Sequence, residues 1–122
     1  MAKRILIIEN DAAMRELERS ILEHAGYVVS EADNAKDGIT IAAAEMPDLI
    51  LMDVRLPHKK RGIGAAKILR KKDETREIPI IFVSAYPARE ESKEVTNITK
   101  CGYIIKPFGV IDFLSTVRKH LE

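Results

Sequence analysis

The sequence predicts an α/β fold in which a parallel sheet is covered by helices on both faces. Short apolar runs alternate along the chain with longer segments that carry apolar residues at helical spacing. The runs are nearly continuous in hydrophobic residues, which is typical of strands buried on both faces. Five such strand–helix units favour a doubly wound sheet with strand order 2-1-3-4-5, because right-handed crossovers leave few other topologies.

The bounds of the elements follow from the apolar runs and from the residues that interrupt them. The predicted strands are Ile5–Ile8, Tyr27–Ala32, Leu49–Asp53, Ile80–Ser84 and Tyr103–Ile105. The predicted helices are Asp11–Ala25, Asn34–Glu45, Ile63–Lys72, Glu90–Ile98 and Val110–Leu121. The residues expected on the core-facing side of the first helix are Met14, Leu17, Ile21 and Leu22.

Length and composition are those of one ordinary globular domain, which we expect to span residues 1–122. The net charge of +1 argues against a dedicated nucleic-acid binder, which would carry a marked basic excess. Cys101 is the single cysteine, so an intrachain disulfide is impossible and a reducing compartment fits. No apolar stretch approaches the roughly 20 residues that a membrane-spanning helix needs. The expectation is a cytoplasmic protein with no direct membrane contact.

Polar residues of suitable chemistry follow four of the predicted strands. Glu9 and Asn10 follow the first strand, Asp53 ends the third, and Ser84 and Lys106 lie at the ends of the fourth and fifth. In an open parallel sheet, ligands bind at the carboxyl ends of the strands, where the strand order reverses. Oxygen ligands at this edge suit Mg²⁺. A carboxylate there can accept a phosphoryl group, with a hydroxyl and an ammonium on its oxygens.

Each of these residues also has a plainer interpretation. An aspartate after a strand is more often a turn residue or a helix cap, and capping is the expected role of Asp11. Ser84 alone is a turn hydroxyl, and Lys106 alone is a solvated loop lysine. Four suitable residues at the carboxyl ends of four strands make coincidence a poor explanation, so the sequence favours phosphoryl or metal chemistry at Asp53.

Four segments, in this order and at this spacing, resemble the receiver domain of two-component response regulators. They are Ile5–Asp11, Pro47–Pro57, Pro79–Ala85 and Gly102–Phe108. The resemblance covers nearly the whole chain and implies the flavodoxin-like (βα)5 fold. It implies that Asp53 is the phosphoacceptor, with a histidine kinase or phosphotransfer protein as donor. The chain would then be a signalling phosphoacceptor and not an enzyme, catalysing only its own phosphorylation and dephosphorylation.

The resemblance also assigns a metal site. It implies Mg²⁺ held by Glu9, Asn10, Asp53 and the backbone carbonyl of Arg55. Asn10 stands where receivers usually carry a second acid, so two acids and Lys106 give the pocket a charge of −1. We expect weaker Mg²⁺ binding and slower phosphorylation for that reason.

The resemblance further implies a conformational switch. Ser84 would be the switch hydroxyl, Lys106 the phosphate-contacting lysine, and Tyr103 the aromatic that changes rotamer on activation. The Lys106–Pro107 bond would be cis. The repacked surface would be that of the predicted fourth helix, fifth strand and fifth helix, which would bind a downstream protein or a fused output domain. The resemblance implies that Arg55 and Tyr86 flank the path of the hydrolytic water. Both side chains are bulky, so we expect slow loss of the phosphoryl group by hydrolysis.

Two other interpretations stay open. Asn10 favours a pseudo-receiver, which has the same fold but serves as an interaction module without phosphorylation. A small flavodoxin-like enzyme or FMN carrier is disfavoured, because the first strand–helix turn lacks the Ser/Thr/Gly-rich phosphate loop that such proteins use.

Overall fold

A computed structural model describes residues 2–55, 62–85 and 98–122. The strands in them are β1 (Arg4–Ile8), β2 (Val28–Ala32), β3 (Leu49–Asp53), β4 (Ile80–Ser84) and β5 (Cys101–Ile105). The helices in them are α1 (Ala12–His24), α2 (Ala35–Glu45), α3 (Gly62–Lys71) and α4 (Val110–Leu121). The predicted fourth helix, Glu90–Ile98, lies outside the described residues except for Ile98, so α4 corresponds to the predicted fifth helix.

All five strands pair in parallel in the order β2-β1-β3-β4-β5, which confirms the predicted topology. The predicted bounds are right to within one or two residues: β2 begins one residue later, at Val28, and β5 begins two residues earlier, at Cys101. The carboxyl ends of β1, β3, β4 and β5 therefore meet at one edge of the sheet.

Side-chain caps fix the starts of the first two helices. The Asp11 carboxylate accepts a hydrogen bond from the Met14 amide at 3.0 Å, which confirms its predicted capping role. The Asn34 side-chain oxygen accepts one from the Asp37 amide at 2.8 Å. At the other end of α2, Met46 adopts a left-handed conformation with φ of 47°, and Pro47 follows.

The sheet has two differently built faces. The first face is covered by α2 and α3 and holds an apolar cluster that includes Leu6, Ile8, Ile50, Met52, Phe82, Ile39 and Leu69. The second face is covered by α1 and α4 and holds another cluster, which includes Ile5, Ile7, Leu51, Val83, Ile104, Leu22 and Phe113. Successive strand residues point to opposite faces, so Ile7 and Ile8 belong to different clusters.

The predicted core face of α1 is wrong at one position. Leu17 is 47% exposed, whereas its neighbour Glu18 is 1% exposed and points inward. In a helix, residues four apart stack along one side, so Glu18 lies on the line from Met14 to the fully buried Leu22. Leu17 falls to one side of that line and reaches solvent.

Within the described part of the chain, no helix is both long enough and apolar enough to cross a membrane.

Candidate functional site

Three charged side chains meet at the carboxyl edge of the second face. Glu9 follows β1, Asp53 ends β3 and Lys106 follows β5, each two residues after an apolar residue of that face. The Lys106 ammonium donates a hydrogen bond to Glu9 Oε1 at 2.8 Å. The Asp53 and Glu9 carboxyls interact across the pocket, and this interaction acts on the pKa of Asp53. The structure thus brings together three of the residues that the sequence predicted for the site.

Asp53 is held in a defined orientation. It is 9% exposed, and its Oδ1 accepts a hydrogen bond from the Arg55 amide at 3.0 Å. Burial, the hydrogen bond with Glu9 and the negative charge of Glu9 raise the pKa of Asp53 to about 7, against the lowering effect of the Arg55 amide and of Lys106. The carboxyl therefore keeps its proton into the neutral pH range when no cation is present.

Glu9 is the hub of the cluster. It is 2% exposed, with Oε1 accepting from Lys106 and Oε2 accepting from the Asp11 amide at 3.2 Å. Burial acts to lower the pKa of Lys106, but the hydrogen bond with Glu9 and the negative charges of Asp53, Glu9 and Glu18 outweigh it and raise that pKa. Lys106 is consequently a fixed positive charge in the pocket at physiological pH.

The loop that carries Glu9 and Asn10 is tied to α1 by Arg15, a residue that the sequence reasoning missed. Arg15 Nη1 donates to the backbone carbonyls of Glu9 at 2.9 Å and of Asn10 at 3.5 Å. Arg15 Nε contacts Glu31 Oε1 on β2 at 3.2 Å. Nothing in the sequence spacing distinguishes Arg15 from a solvated helix residue, because its partners are backbone atoms and a strand residue far along the chain.

The predicted metal ligands differ in how they are placed. Glu9 and Asp53 are buried side by side, whereas Asn10 and Arg55 are exposed residues at the edge of the pocket. Among the described residues there is no group of three or more His, Cys, Asp or Glu side chains arranged to hold a metal ion. Mg²⁺ commonly uses only one or two carboxylates and completes its octahedron with water and phosphate oxygens. The buried carboxylate pair of Glu9 and Asp53 fits that mode. Lys106 makes the pocket less negative than the two acids alone would.

The predicted switch residues lie on the first face. Ser84 is almost fully buried at the end of β4, next to Val83, whose register partner on β3 is Asp53. Its backbone carbonyl accepts a hydrogen bond from the Lys106 amide at 2.8 Å. Tyr103, half-buried on β5, is paired with Phe82 and packs against the first-face cluster. Ser84 and Tyr103 are therefore near neighbours on one face of adjacent strands.

Two other predictions concern the surroundings of the site. The Lys106–Pro107 peptide bond is cis, as the resemblance implied. Arg55 is exposed beside Asp53, and Tyr86, its predicted partner in slowing hydrolysis, lies outside the described residues.

Gly62, the first residue of α3, packs directly on the backbone of Asp53. Its amide donates to the Val54 carbonyl at 2.9 Å. A Cβ atom added to Gly62 would lie 2.1 Å from the Asp53 carbonyl oxygen, so a side chain cannot fit unless β3 or α3 shifts. The sequence offered a weak signal, a glycine at the start of a helix, which did not by itself point to Asp53.

Glu18 is a fourth charged group close to the cluster. Its Oε2 is buried and has no hydrogen-bond partner among the described residues. Burial and the negative charges of Glu9 and Asp53 raise the pKa of Glu18 to about 8, against the lowering effect of Lys106. The sequence reasoning missed Glu18 because a glutamate is normally assigned to the solvated side of a helix.

Comparisons with known proteins agree with this geometry. A family model described as the response regulator receiver domain matches residues 5–118. The polar-differentiation response regulator DivK of Brucella anthropi is 32% identical over 121 residues, which cover 99% of this chain and 98% of DivK.

Solved structures of receiver domains have the same fold as this chain. A CheY-like receiver domain protein from Methanospirillum hungatei has a TM-score of 0.92 and 30% identity, covering 99% of this chain and 94% of its own. The receiver domain of the sensor histidine kinase PA1611 from Pseudomonas aeruginosa, solved with magnesium in its active-site cleft, has a TM-score of 0.90 and 23% identity. That match covers 99% of this chain and 98% of the PA1611 domain, and shows a shared fold.

Proposed function

Because the chain belongs to the response regulator receiver domain family, we propose that it is a phosphorylation-dependent switch whose phosphoacceptor is Asp53. The observation that carries the proposal is the buried cluster of Asp53, Glu9 and Lys106 at the carboxyl edge of the sheet. The phosphoryl donor is a histidine kinase or a phosphotransfer protein. The chain acts as a signalling phosphoacceptor, which catalyses only its own phosphorylation and dephosphorylation.

In the transfer step, an oxygen of the Asp53 carboxylate attacks the phosphorus atom of the donor phosphohistidine. The phosphorus–nitrogen bond breaks, and its electron pair stays on the imidazole. The Arg55 amide donates a hydrogen bond to Asp53 Oδ1 at 3.0 Å and so orients the carboxylate for attack through its other oxygen. Lys106 neutralises a phosphoryl oxygen as a point charge, and the Ser84 hydroxyl hydrogen-bonds another.

Glu9 and Asp53 would hold a Mg²⁺ ion, with Asn10 and the Arg55 carbonyl at the edge of the site. The ion supplies neutralisation of the phosphoryl charge when it is bound. The magnesium in the PA1611 receiver domain supports this proposal for the shared fold. Asn10 brings an oxygen without formal charge, so we propose weak Mg²⁺ binding.

The output surface in this proposal comprises β5, the start of α4 and the predicted fourth helix. Ile105, Val110 and Ile111 are exposed hydrophobic residues of this region, with Ile111 84% exposed. Ser84 and Tyr103 link it to the pocket, since a hydroxyl drawn toward the phosphoryl group frees space for the ring. The partner is a downstream protein or a fused output domain.

The second candidate is a pseudo-receiver that binds its partner without phosphorylation. The observation in its favour is that Asn10 lacks the charge of an acid, while both oxygens of Glu9 are already engaged by Lys106 and Asp11. In that case partner binding would be the same in wild type and in Asp53→Ala.

The test is phosphorylation by acetyl phosphate with Mg²⁺, followed by intact mass. We expect wild type to gain one phosphoryl group, Asp53→Ala to gain none, and Asp73→Ala, which removes a highly exposed acid far along the chain, to behave as wild type. A faster Asn10→Asp variant would show that the amide limits the rate. If wild type stays unmodified and Asn10→Asp gains the group, the metal site is disabled. If no variant gains it, phosphorylation is refuted and the pseudo-receiver stands.

A further inference from the structure

Glu18 is the buried charged group for which the proposed phosphoryl transfer has no use. It is 1% exposed, and its Oε2 has no hydrogen-bond partner in the described part of the chain. Burying a carboxyl without a partner is costly, and an apolar residue would pack against the sheet at this position without that cost. A group kept in such a place needs a reason that packing does not provide.

Glu18 lies on the same face of the sheet as the pocket, at the middle of α1. α1 begins at the carboxyl end of β1 and runs back along the sheet, so residues early in α1 lie closest to the site. Glu18 is one turn nearer the site than Leu22, which belongs to the second-face cluster. Glu9, Asp53 and Lys106 continue that same face beyond the ends of their strands.

Electrostatic coupling agrees with this placement. The charges of Glu9, Lys106 and Asp53 all act on Glu18, and Glu18 in turn acts on Lys106. Glu18 therefore belongs to the electrostatic environment of the phosphoacceptor, although none of the described hydrogen bonds joins it to the pocket.

We propose, building on the receiver function above, that Glu18 is a positioning residue for Lys106, which supplies the negative charge that Asn10 does not bring. In the cation-free protein Lys106 is bound to Glu9 Oε1, an oxygen that a metal ion would need. Once Glu18 is ionised, its carboxylate attracts the Lys106 ammonium and so releases that oxygen of Glu9. The proton of the Glu18 carboxyl leaves to bulk water in this step.

The charges that act on Glu18 within the described residues come from the pocket and not from the other charged groups around α1. Glu31 on β2 is paired with Arg15 and Arg19. Arg118 on α4 lines a groove between α1 and α4 together with His24. The charged groups that act on Glu18 are Glu9, Asp53 and Lys106, two carboxyls and one ammonium. An approaching cation changes this balance in favour of the ionised form of Glu18.

The test is Mg²⁺ binding by isothermal titration calorimetry at pH 6 and pH 9, without any phosphodonor. Glu18→Gln keeps the shape of the side chain but not its charge, and Glu16→Gln is the matched control, because Glu16 is an exposed glutamate of the same helix. At pH 9 we expect wild type and Glu16→Gln to bind Mg²⁺ roughly fivefold more tightly than Glu18→Gln. At pH 6, where Glu18 is neutral, the three proteins should agree.

Proton counting supplies a second readout. Titrations near pH 7.5 in buffers of different ionisation enthalpy should show that wild type releases more protons on binding Mg²⁺ than Glu18→Gln does. Glu18→Leu should behave as Glu18→Gln, since only the charge matters.

Equal affinities and equal proton release in wild type and Glu18→Gln would overturn the role of Glu18 and leave the magnesium site of the proposed function intact. Absence of Mg²⁺ binding in wild type at both pH values would overturn both, so the two failures are distinguishable.

Discussion

The two faces of the sheet are built alike near the amino ends of the strands and differently at the carboxyl ends. On the first face, apolar packing by α2 and α3 continues to the end of the sheet, where Ser84 is buried next to Phe82. On the second face, the apolar cluster under α1 and α4 gives way to Glu9, Asp53 and Lys106, with Glu18 on the same face.

The difference shows that one face of the sheet is built for stability and the other holds the buried charged groups. Neutral packing on the first face gains stability from burial and fixes the backbone of β3 and β4. The carboxylates buried on the second face cost stability and raise the pKa values of Asp53 and Glu18. The apolar face thus offsets the cost of a charged site, a division of roles that substitutions on each face can test.

The largest effect is expected where α3 of the first face contacts Asp53. Gly62→Ala would force a Cβ atom to within 2.1 Å of the Asp53 carbonyl oxygen, so the helix or β3 must move. We expect the free energy of unfolding to fall by about 3 kcal/mol, with slower phosphorylation of Asp53. Urea denaturation and acetyl phosphate labelling measure the two effects.

Gly64→Ala is the matched control, because a Cβ atom at this neighbouring helical glycine meets nothing within 4 Å. It should raise the free energy of unfolding by about 0.5–1 kcal/mol. Equal stabilities of the two variants would contradict the close contact at Gly62.

The next effect concerns the stability cost of burying Glu18 on the second face, which depends on pH. The pKa of Glu18 is raised from 4.5 to about 8, so the folded state binds its proton more tightly than the unfolded state. Stability should therefore fall as the pH rises past 4.5, where the unfolded carboxyl ionises, and the loss should be complete above about 8.

Glu18→Gln removes this titration. At pH 9 the variant should exceed wild type by a few kcal/mol in the free energy of unfolding, and near pH 4 the difference should nearly vanish. Urea denaturation across this pH range measures it. A difference between the two proteins that is the same at every pH would refute a buried titrating Glu18.

A smaller effect is expected at the tie between α1 and the Glu9–Asn10 loop. Arg15→Ala removes the bonds to the Glu9 and Asn10 carbonyls and the contact with Glu31. We expect a loss of about 1 kcal/mol in stability and a roughly threefold weaker affinity for Mg²⁺, because the loop is less well positioned.

Arg19→Ala is the control that distinguishes loss of the loop contacts from loss of an ion pair with Glu31. Arg19 contacts Glu31 and Glu23 and has no described bond to the loop. The affinity of the Arg19→Ala variant for Mg²⁺, measured by calorimetry together with that of Arg15→Ala, should match wild type. A parallel loss in both variants would assign the effect to Glu31 and not to the loop.

The smallest effect is expected at Leu17, which the periodicity of α1 placed in the core. Since the side chain is 47% exposed, Leu17→Ala should change the free energy of unfolding by no more than about 0.5 kcal/mol. Leu22→Ala, which empties a fully buried site of the second face, should cost about 2–5 kcal/mol in the same denaturation assay. Similar losses of stability in the two variants would show that Leu17 is part of the core.

The sequence predicted the strands, their order and the meeting of Glu9, Asp53 and Lys106 because these follow from local rules. Apolar runs buried on both faces define the strands, and parallel strands bring their carboxyl ends to one edge. The cap at Asp11 was predictable for the same reason, since Met14 lies only three residues away.

The tertiary structure decided what depends on several elements at once. Residue spacing along α1 favoured Leu17 for its core side, and only the seating of the helix on the sheet turned Glu18 inward. Arg15 gains its role from backbone carbonyls and from a strand residue, and Gly62 from the Asp53 carbonyl, none of which is encoded in local spacing. The pKa values of Asp53 and Glu18 likewise depend on burial and on charges brought together from separate strands, so chain order alone could place Asp53 at the edge of the sheet but not its electrostatic surroundings.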